Sequence, residues 1–277
     1  MVNDVSEPTR DQTPEPWSEG ASGYDTAFAP FTGLYVEEAL DLLDVHGGTN
    51  LLDVAAGTGA VTLRAAARGA TVTAVDFAPG MVDHLAREVA AAGLSSVTTR
   101  VMDGQSLDLV DDSFDAAISM LGVIFFPDID AGLRELHRVV APDGPAGVGT
   151  WNLEAFRLVD FVRAAFERVL PEMQLPSAQP AWARVGTIEG LRERLEEAGF
   201  LEVSVHVIPR RWRFEDPEAF FLQLPTWSPP VQPLFEMLSA ETLTAAAGAF
   251  ADVFEEAAAE SGGDGVPTEV LLGVGLV

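Results

Sequence analysis

Hydrophobic and polar positions follow two alternating periods along residues 35–151. Short apolar runs that each end near a glycine or a polar residue predict buried strands. Longer stretches with apolar residues three and four positions apart predict helices between them. The predicted strands are NLLDVA (50–55), TVTAVDF (71–77), SVTTRVMD (96–103), SFDAAISML (113–121) and PAGVGTW (145–151). This alternation predicts an α/β fold with a parallel sheet, helices on both faces and right-handed crossovers.

The pattern changes after Trp151. Residues 152–186 and 214–265 are rich in aromatic residues and partly helical in pattern, and we expect them to form a lid over the substrate. Between them lie a helix, TIEGLRERLEEAGF, with Thr187 as its N-cap, and an alternating strand, LEVSVHVI.

The ends of the chain differ in character. The segment TEVLLGVGLV predicts a last strand at the C-terminus. Residues 1–16 are acidic and proline-bearing, which favours a mobile tail. We therefore expect one domain over residues 17–277.

Composition excludes several classes of function. The net charge of −27 disfavours nucleic acid and anionic membranes as partners, and the apolar runs are too short to span a bilayer. The chain has no cysteine, and its 16 basic residues are all arginine. Schiff-base chemistry, a P-loop lysine and thiolate catalysis are therefore excluded, and no metal site is predicted. We expect a cytoplasmic protein that is a monomer or a homodimer.

The turn after the first strand carries the clearest chemical signal. Gly57 and Gly59 follow that strand and open a helix, so the bare backbone can approach a ligand. Asp76 ends the next strand, where a carboxylate can accept both hydroxyls of a ribose. Asp53 gives the pattern D-x-A-x-G-x-G, and Thr62 stands where a dinucleotide fingerprint has its third glycine. A generic strand–helix turn is the alternative.

The segments LLDVAAGTG, VTAVDFAPGMV, MDGQSLDLVDDSFDAAISM and LRELHRVVAPDG extend this signal. Their order and spacing resemble the motifs of class I S-adenosylmethionine-dependent methyltransferases, in particular the small-molecule enzymes of ubiquinone and menaquinone biosynthesis. The resemblance implies a Rossmann-like seven-stranded sheet whose last strand is antiparallel. It also implies S-adenosyl-L-methionine as cofactor and S-adenosyl-L-homocysteine as product.

The resemblance further implies cofactor contacts at the tips of the first four strands and at one N-terminal tyrosine. In this arrangement the methionine moiety lies against Asp53, Ala55, Gly57 and Gly59, and the ribose lies on Asp76. The adenine lies against Phe77, Met81, Asp103 and Gly104. The amino group of the cofactor meets Met120, and its carboxylate lies under Tyr24. One departure from the family pattern is Ala55, which adds a methyl group where the cofactor passes.

The substrate site is less defined by the sequence. Phe125, Trp151 and Trp182 lie near or within the aromatic segments and are candidates for a hydrophobic substrate pocket, although ordinary core packing explains them equally well. Arg211, in PRRWRFEDP, is a candidate clamp for an anionic group, with a solvated strand end that balances local acidic residues as the favoured alternative. No histidine stands at a motif position, and Asp128 is expected to cap a helix.

These features predict a methyltransferase that acts on a small, hydrophobic or aromatic metabolite such as a secondary metabolite or a quinone. In-line transfer from a sulfonium depends mainly on proximity and alignment, so it tolerates the lack of a general base. The alternative is an enzyme that binds the cofactor but catalyses another reaction, such as a cyclisation. A nicotinamide dehydrogenase would require the missing third glycine.

Overall fold

A computed structural model describes residues 9–172 and 180–277 of the protein. Its centre is a seven-stranded sheet of order β3-β2-β1-β4-β5-β7-β6. Strands β1 to β5 are parallel, and β7 runs antiparallel between β5 and β6. The strands are β1 (Asn50–Val54), β2 (Thr71–Asp76), β3 (Val97–Val101), β4 (Ala116–Met120), β5 (Pro145–Trp151), β6 (Leu201–Trp212) and β7 (Val266–Leu276). The predicted fold class is confirmed, including the antiparallel last strand.

Helices flank this sheet and cover one end of it. They are α1 (Pro14–Ala27), α2 (Ala29–Thr32), α3 (Val36–Leu42), α4 (Ala60–Ala67), α5 (Pro79–Ala91), α6 (Ile129–Val139), α7 (Leu158–Val169), α8 (Ile188–Ala198), α9 (Pro217–Trp227), α10 (Gln232–Glu236) and α11 (Ala240–Glu260). Within the described ranges, no helix combines the length and the apolar character needed to cross a membrane.

The core strands are apolar because both of their faces are covered. In β1, Leu51, Leu52 and Val54 are fully buried, and β4 and β5 are buried almost throughout. The edge strand β3 is largely exposed and correspondingly polar. These strands carry consecutive apolar residues because the side chains on both faces of the sheet are buried.

Local capping positions the helices as their sequences predict. The Asp128 carboxylate accepts a hydrogen bond from the Ala131 backbone N–H at 2.9 Å and caps α6. The Thr187 hydroxyl accepts from the Gly190 N–H at 3.1 Å and caps α8. Asp128 is thus a structural cap, as predicted.

The N-terminal segment differs from the predicted tail. Residues 10–12 form a 3₁₀ turn, and α1 begins at Pro14. The Trp17 indole N–H donates to the Asp11 carbonyl oxygen at 2.8 Å, and the Gly80 N–H donates to the Ser18 hydroxyl at 3.1 Å. These contacts fix α1 against α5, so residues 10–16 are structured. The rest of the predicted tail, residues 1–8, lies outside the described residues.

The two aromatic segments form a helical layer beside α1. Helix α7 packs on α11, and α9 packs on both α11 and α1. Stacked rings fill this layer; Phe28 and Trp227 lie 4.2 Å apart between ring centroids, and Phe214 and Phe220 lie 3.9 Å apart. Most of the aromatic residues in these segments are therefore core. Residues 173–179 of the first segment lie outside the described residues.

Gly59 connects the glycine turn to the helical packing. It adopts a left-handed φ of +101° at the start of α4, and a Cβ built on it would lie 2.3 Å from Cδ1 of Leu85 on α5. Leu85 is buried, so it has little space to move. Gly59 therefore allows α4 and α5 to approach each other closely.

Replacing Gly59 should destabilise the fold more than strain alone explains. Gly48 is a matched control, because its φ is +98° and nothing lies within 4 Å of a built Cβ. We expect Gly48→Ala to cost about 1 kcal/mol through backbone strain, and Gly59→Ala to cost about 1–3 kcal/mol more through overpacking. Urea unfolding of the two variants measures the difference. Equal losses would show that Leu85 yields without cost.

Candidate active site

A cavity of about 680 Å³ opens at the carboxyl ends of β1, β2 and β4. The chain reverses its direction of strand addition between β1 and β4, and ligand sites of such sheets lie at this switch point. Ten of the eleven predicted cofactor residues line the cavity: Tyr24, Asp53, Ala55, Gly57, Asp76, Phe77, Met81, Asp103, Gly104 and Met120. Gly59, the eleventh, is absent from the lining because it packs against Leu85.

The Asp76 carboxylate joins the tips of β1 and β2. Its Oδ2 accepts from the Gly57 backbone N–H and its Oδ1 from the Ala78 N–H, each at 2.9 Å. Burial raises the pKa of Asp76 to about 6, although these donors oppose the shift. Since a carboxylate has about four acceptor positions, Asp76 can still accept hydrogen bonds from a ligand.

Asp53 is held by a residue whose role the sequence did not reveal. The Thr62 hydroxyl donates to Asp53 Oδ2 at 2.6 Å, and the Thr62 backbone N–H contributes a further bond. Both side chains are buried, and burial raises the pKa of Asp53 to about 7. Thr62 occupies the third-glycine position of a dinucleotide fingerprint, where its hydroxyl provides the donor that this carboxylate needs.

Two non-glycine residues adopt left-handed backbone conformations at the cavity wall. Ala55 has a φ of +57° after β1, and Leu121 has a φ of +62° after β4. Strain of this kind costs on the order of 1–3 kcal/mol per residue and is concentrated at functional sites. A Cβ built on Gly122 would lie 2.3 Å from the Ala55 Cβ. Gly122 therefore provides the room that the additional methyl of Ala55 requires.

Asp103 is oriented by Gln105, which was not among the predicted site residues. The Gln105 backbone N–H and side-chain amide both donate to Asp103 Oδ1, at 2.9 and 3.0 Å. The Gln105 amide oxygen accepts from the Asp128 N–H at 2.8 Å. Asp103 is exposed, so its second oxygen is accessible to a ligand. Phe126 closes this end of the cavity, 2.5 Å from the position of a built Gly104 Cβ.

Helix α1 covers the glycine turn with aromatic side chains. Tyr24 Cε1 lies 4.0 Å from a Cβ built on Gly57, and burial raises the pKa of the Tyr24 phenol to about 12. The phenol is therefore neutral near pH 7 and can donate a hydrogen bond. Trp17 packs edge-on against Phe125, with ring centroids 4.8 Å apart.

Three predicted substrate residues do not line this cavity. Trp151 lines a small adjoining space, while Trp182 lines neither. Arg211 lies within β6, where its guanidinium donates to the carbonyl oxygens of Ser261, Asp264 and Gly265 at 2.6–2.8 Å. These bonds hold the loop before β7, which agrees with a structural role for Arg211. Of the four predicted substrate residues, only Phe125 lies in the cavity wall.

The charged side chains in the described wall of the cavity are all acidic. Its titratable lining residues, within the described ranges, are Tyr24, Asp53, Asp76 and Asp103, with no arginine or histidine. Carboxylates in a partly buried site favour a cationic ligand and repel a pyrophosphate. This charge distribution fits an adenosyl sulfonium and disfavours a dinucleotide.

Comparison with known proteins agrees with this geometry. Residues 51–144 match a protein-family model described as a methyltransferase domain. These residues include all but the first residue of β1, the whole of β2 to β4, and the strand tips that carry Asp53, Asp76 and Asp103. The matched region therefore carries the three carboxylates of the cavity, whereas Trp17, Tyr24 and Thr32 of the cavity wall lie outside it.

The relatives extend the similarity beyond that region. An uncharacterized protein of Mycobacterium tuberculosis is 38% identical over 131 residues, which cover 47% of this chain and 46% of that protein. Nocamycin O-methyltransferase of Saccharothrix syringae is 29% identical over 242 residues, 81% of this chain and 84% of the enzyme. The crystal structure of the [4+2]-cyclase SpnF has a TM-score of 0.61 and 21% identity over 97% of both chains, which shows a common fold.

The fold, the family match and the relatives agree in their similarity to the class I S-adenosylmethionine-dependent methyltransferases. The cofactor of this family is S-adenosylmethionine. The match to the first relatives spans less than half of their length, so it defines the domain and leaves the substrate open.

The raised pKa of Asp53 predicts a pH dependence of stability. An unfolded aspartate ionises near pH 4, so the folded protein binds the proton more tightly between pH 4 and 7. The stability that the folded protein gains from this tighter proton binding is fully present below pH 4 and is lost as the pH rises through 7. Asp53→Asn lacks this titration, so its free energy of unfolding is not lowered by it. Relative to the parent, the free energy of unfolding of Asp53→Asn should therefore rise by more than about 1 kcal/mol between pH 5 and pH 8, since one pKa unit corresponds to about 1.4 kcal/mol.

Urea unfolding of the cofactor-free protein at the two pH values measures this gain. Asp83→Asn is the matched control, because it removes one negative charge from an exposed position on α5. The same gain in both variants would attribute the effect to net charge.

Proposed function

We propose that the protein transfers the methyl group of S-adenosylmethionine to a small, hydrophobic or aromatic metabolite. The observation that carries this proposal is the arrangement of Asp53, Asp76 and Asp103 around one cavity with no described cationic lining residue. The volume of about 680 Å³ is within the range of small-molecule sites, roughly 300–1,000 Å³, and accommodates a cofactor with part of a second molecule.

Each lining residue has a chemical role in this proposal. Asp76 accepts from the ribose hydroxyls, and Asp103 accepts from the adenine amine. Asp53 lies near the methionine amino group and the sulfonium, whose positive charges favour its ionised form. The neutral Tyr24 phenol donates to the methionine carboxylate. The sulfonium supplies an activated methyl group with a neutral leaving group.

The protein then accelerates transfer by alignment and by exclusion of water. Trp17, Phe125 and Phe126 form apolar walls beside the carboxylates. Such walls hold an apolar acceptor close to the methyl group, and proximity with correct orientation can lower a reaction barrier by about 7–11 kcal/mol. The described cavity wall offers no histidine as a base, which suits an acceptor whose hydroxyl is acidic.

A cyclisation is the second candidate, because it also needs apolar walls and no base. SpnF has the same fold and is described as a [4+2]-cyclase. The name of nocamycin O-methyltransferase, similar over most of its length, favours methyl transfer. Incubation with S-adenosylmethionine and a panel of phenols, enols and hydroquinones separates the two candidates. Release of S-adenosylhomocysteine together with a methylated product supports transfer; conversion without S-adenosylhomocysteine supports cyclisation.

Removal of the Asp76 carboxylate should weaken cofactor binding. Hydrogen bonds to charged groups contribute about 1.5–3 kcal/mol, so we expect Asp76→Asn to raise the Kd for S-adenosylhomocysteine about 10- to 100-fold. Isothermal titration calorimetry measures this change, with Asp83→Asn as the control. Unchanged binding in a folded Asp76→Asn protein would refute the ribose assignment.

Cofactor affinity should also depend on pH. Asp76 has a pKa raised to about 6, so it becomes protonated and loses acceptor capacity below that pH. The α-amino and α-carboxyl groups of the ligand change little between pH 5 and 7. We therefore expect affinity to fall several-fold, up to about ten-fold, from pH 7 to pH 5. Calorimetry at the two pH values tests this, and Asp76→Asn should show a smaller change.

A further inference from the structure

The start of helix α4 has no cap of its own. Its N-cap is Gly59, which has no side chain to accept from the free N–H groups of the first turn. Many helices have a serine or an aspartate at this position, which accepts from the N–H of the third helical residue. Thr62 is that third residue, and its N–H donates to the Asp53 carboxylate of β1. Asp53 therefore caps α4 from a neighbouring strand.

The Thr62 hydroxyl gives Asp53 a second bond from the same residue. It donates to Asp53 Oδ2 at 2.6 Å, and both side chains are buried. Asp53 lines the cavity, whereas Thr62 does not. A carboxylate has about four acceptor positions, so Asp53 keeps capacity for a ligand while Thr62 holds it from behind. Any effect of the Thr62 hydroxyl on a ligand thus passes through Asp53.

The other groups around Asp53 do not favour its ionised form. Strand β1 lies between β2 and β4 and packs on α4. Asp76 at the end of β2 raises the pKa of Asp53 as a like charge, and β4 contains no titratable residue. On α4, the guanidinium of Arg64 donates to a carbonyl oxygen of its own helix. Tyr24 of α1, which also lines the cavity, has a neutral phenol. The donors of Thr62 therefore oppose both burial and Asp76.

We propose that Thr62 is a positioning residue for the cofactor, whose hydroxyl holds the Asp53 carboxylate ionised and aligned toward the methionine end of S-adenosylmethionine. The inference rests on the proposed function and deepens it by naming a residue outside the cavity wall that acts on cofactor affinity. Loss of the hydroxyl removes a donor to the charged form, so the pKa of Asp53 rises above its value of about 7. A neutral Asp53 attracts the amino group and the sulfonium less.

The experiment compares Thr62→Val with the parent, because valine has the branched shape of threonine without the hydroxyl. Calorimetry gives the Kd for S-adenosylhomocysteine at pH 6.5 and 8.5, and the readout is the ratio of the two Kd values, variant over parent. A hydrogen bond to a charged group corresponds to about one to two pKa units. We therefore expect a ratio of roughly ten-fold or more at pH 6.5 and of at most about four-fold at pH 8.5. Titration of Asp76 and of the ligand cancels in this ratio.

A second ligand separates positioning from a general loosening of the site. 5′-Methylthioadenosine has the adenosine and the thioether but lacks the amino-acid part that Asp53 is proposed to meet. Its affinity should differ by less than about two-fold between Thr62→Val and the parent. Equal losses for the two ligands would overturn the proposal, because the substitution would then act on the whole pocket.

Two further variants serve as rescue and control. Thr62→Ser restores the hydroxyl, so its Kd for S-adenosylhomocysteine should stay within about three-fold of the parent at both pH values. Thr150→Val removes the hydroxyl of a buried threonine on β5 that does not line the cavity, and should change neither the affinity nor its pH profile. Where circular dichroism shows Thr62→Val to be unfolded, Thr62→Ala takes its place, since it removes the hydroxyl with less volume.

The outcomes distinguish this inference from the proposed function. A Kd ratio that is the same at pH 6.5 and 8.5, or a Thr62→Ser protein with the profile of Thr62→Val, overturns the role of the hydroxyl. Binding of S-adenosylhomocysteine by the parent still supports the cofactor site in both cases. Failure of the parent to bind S-adenosylhomocysteine overturns the proposed function itself.

Discussion

The hydrogen bonds between the Asp76 carboxylate and the backbone N–H groups of Gly57 and Ala78 hold the site together. They connect the turn after β1 to the tip of β2, and so they fix the two walls between which a nucleoside can lie. The same bonds stabilise a carboxylate that burial would otherwise protonate. Geometry and charge at this site therefore depend on one side chain, and a change there alters both.

The neighbouring strand tips add constraints of the same kind. Ala55 and Leu121 are held in left-handed conformations on either side of the switch point, and Gly122 makes room for the Ala55 methyl. Thr62 supplies the donor that keeps Asp53 hydrogen-bonded in a buried position. The left-handed conformations of Ala55 and Leu121 cost stability locally, and they persist because the packed sheet beneath them holds them in place.

The cavity wall combines two kinds of side chain. The carboxylates of Asp53, Asp76 and Asp103 give it negative charge, and Trp17, Phe125 and Phe126 give it apolar area. The proposed methyl transfer uses both, because the carboxylates favour the sulfonium cation and the apolar walls exclude water from the reacting atoms.

Local sequence determined the strands, the helix caps and the acidic strand tips. Each of these depends on residues a few positions apart: the apolar runs of β1 and β4, the caps Asp128 and Thr187, the glycine turn after β1, and the aspartate that ends β2. The resemblance of these motifs also identified ten residues of the cavity wall.

Only the tertiary structure decided which aromatic and basic residues face the ligand. Arg211 pairs with carbonyl groups 50 to 54 positions away, and Trp227 stacks on Phe28, which lies 199 positions away. Thr62 likewise donates to Asp53, nine positions earlier, and Gln105 accepts from the N–H of Asp128, 23 positions later. Such contacts leave no periodic signal in the sequence, because they join segments whose separation along the chain is arbitrary.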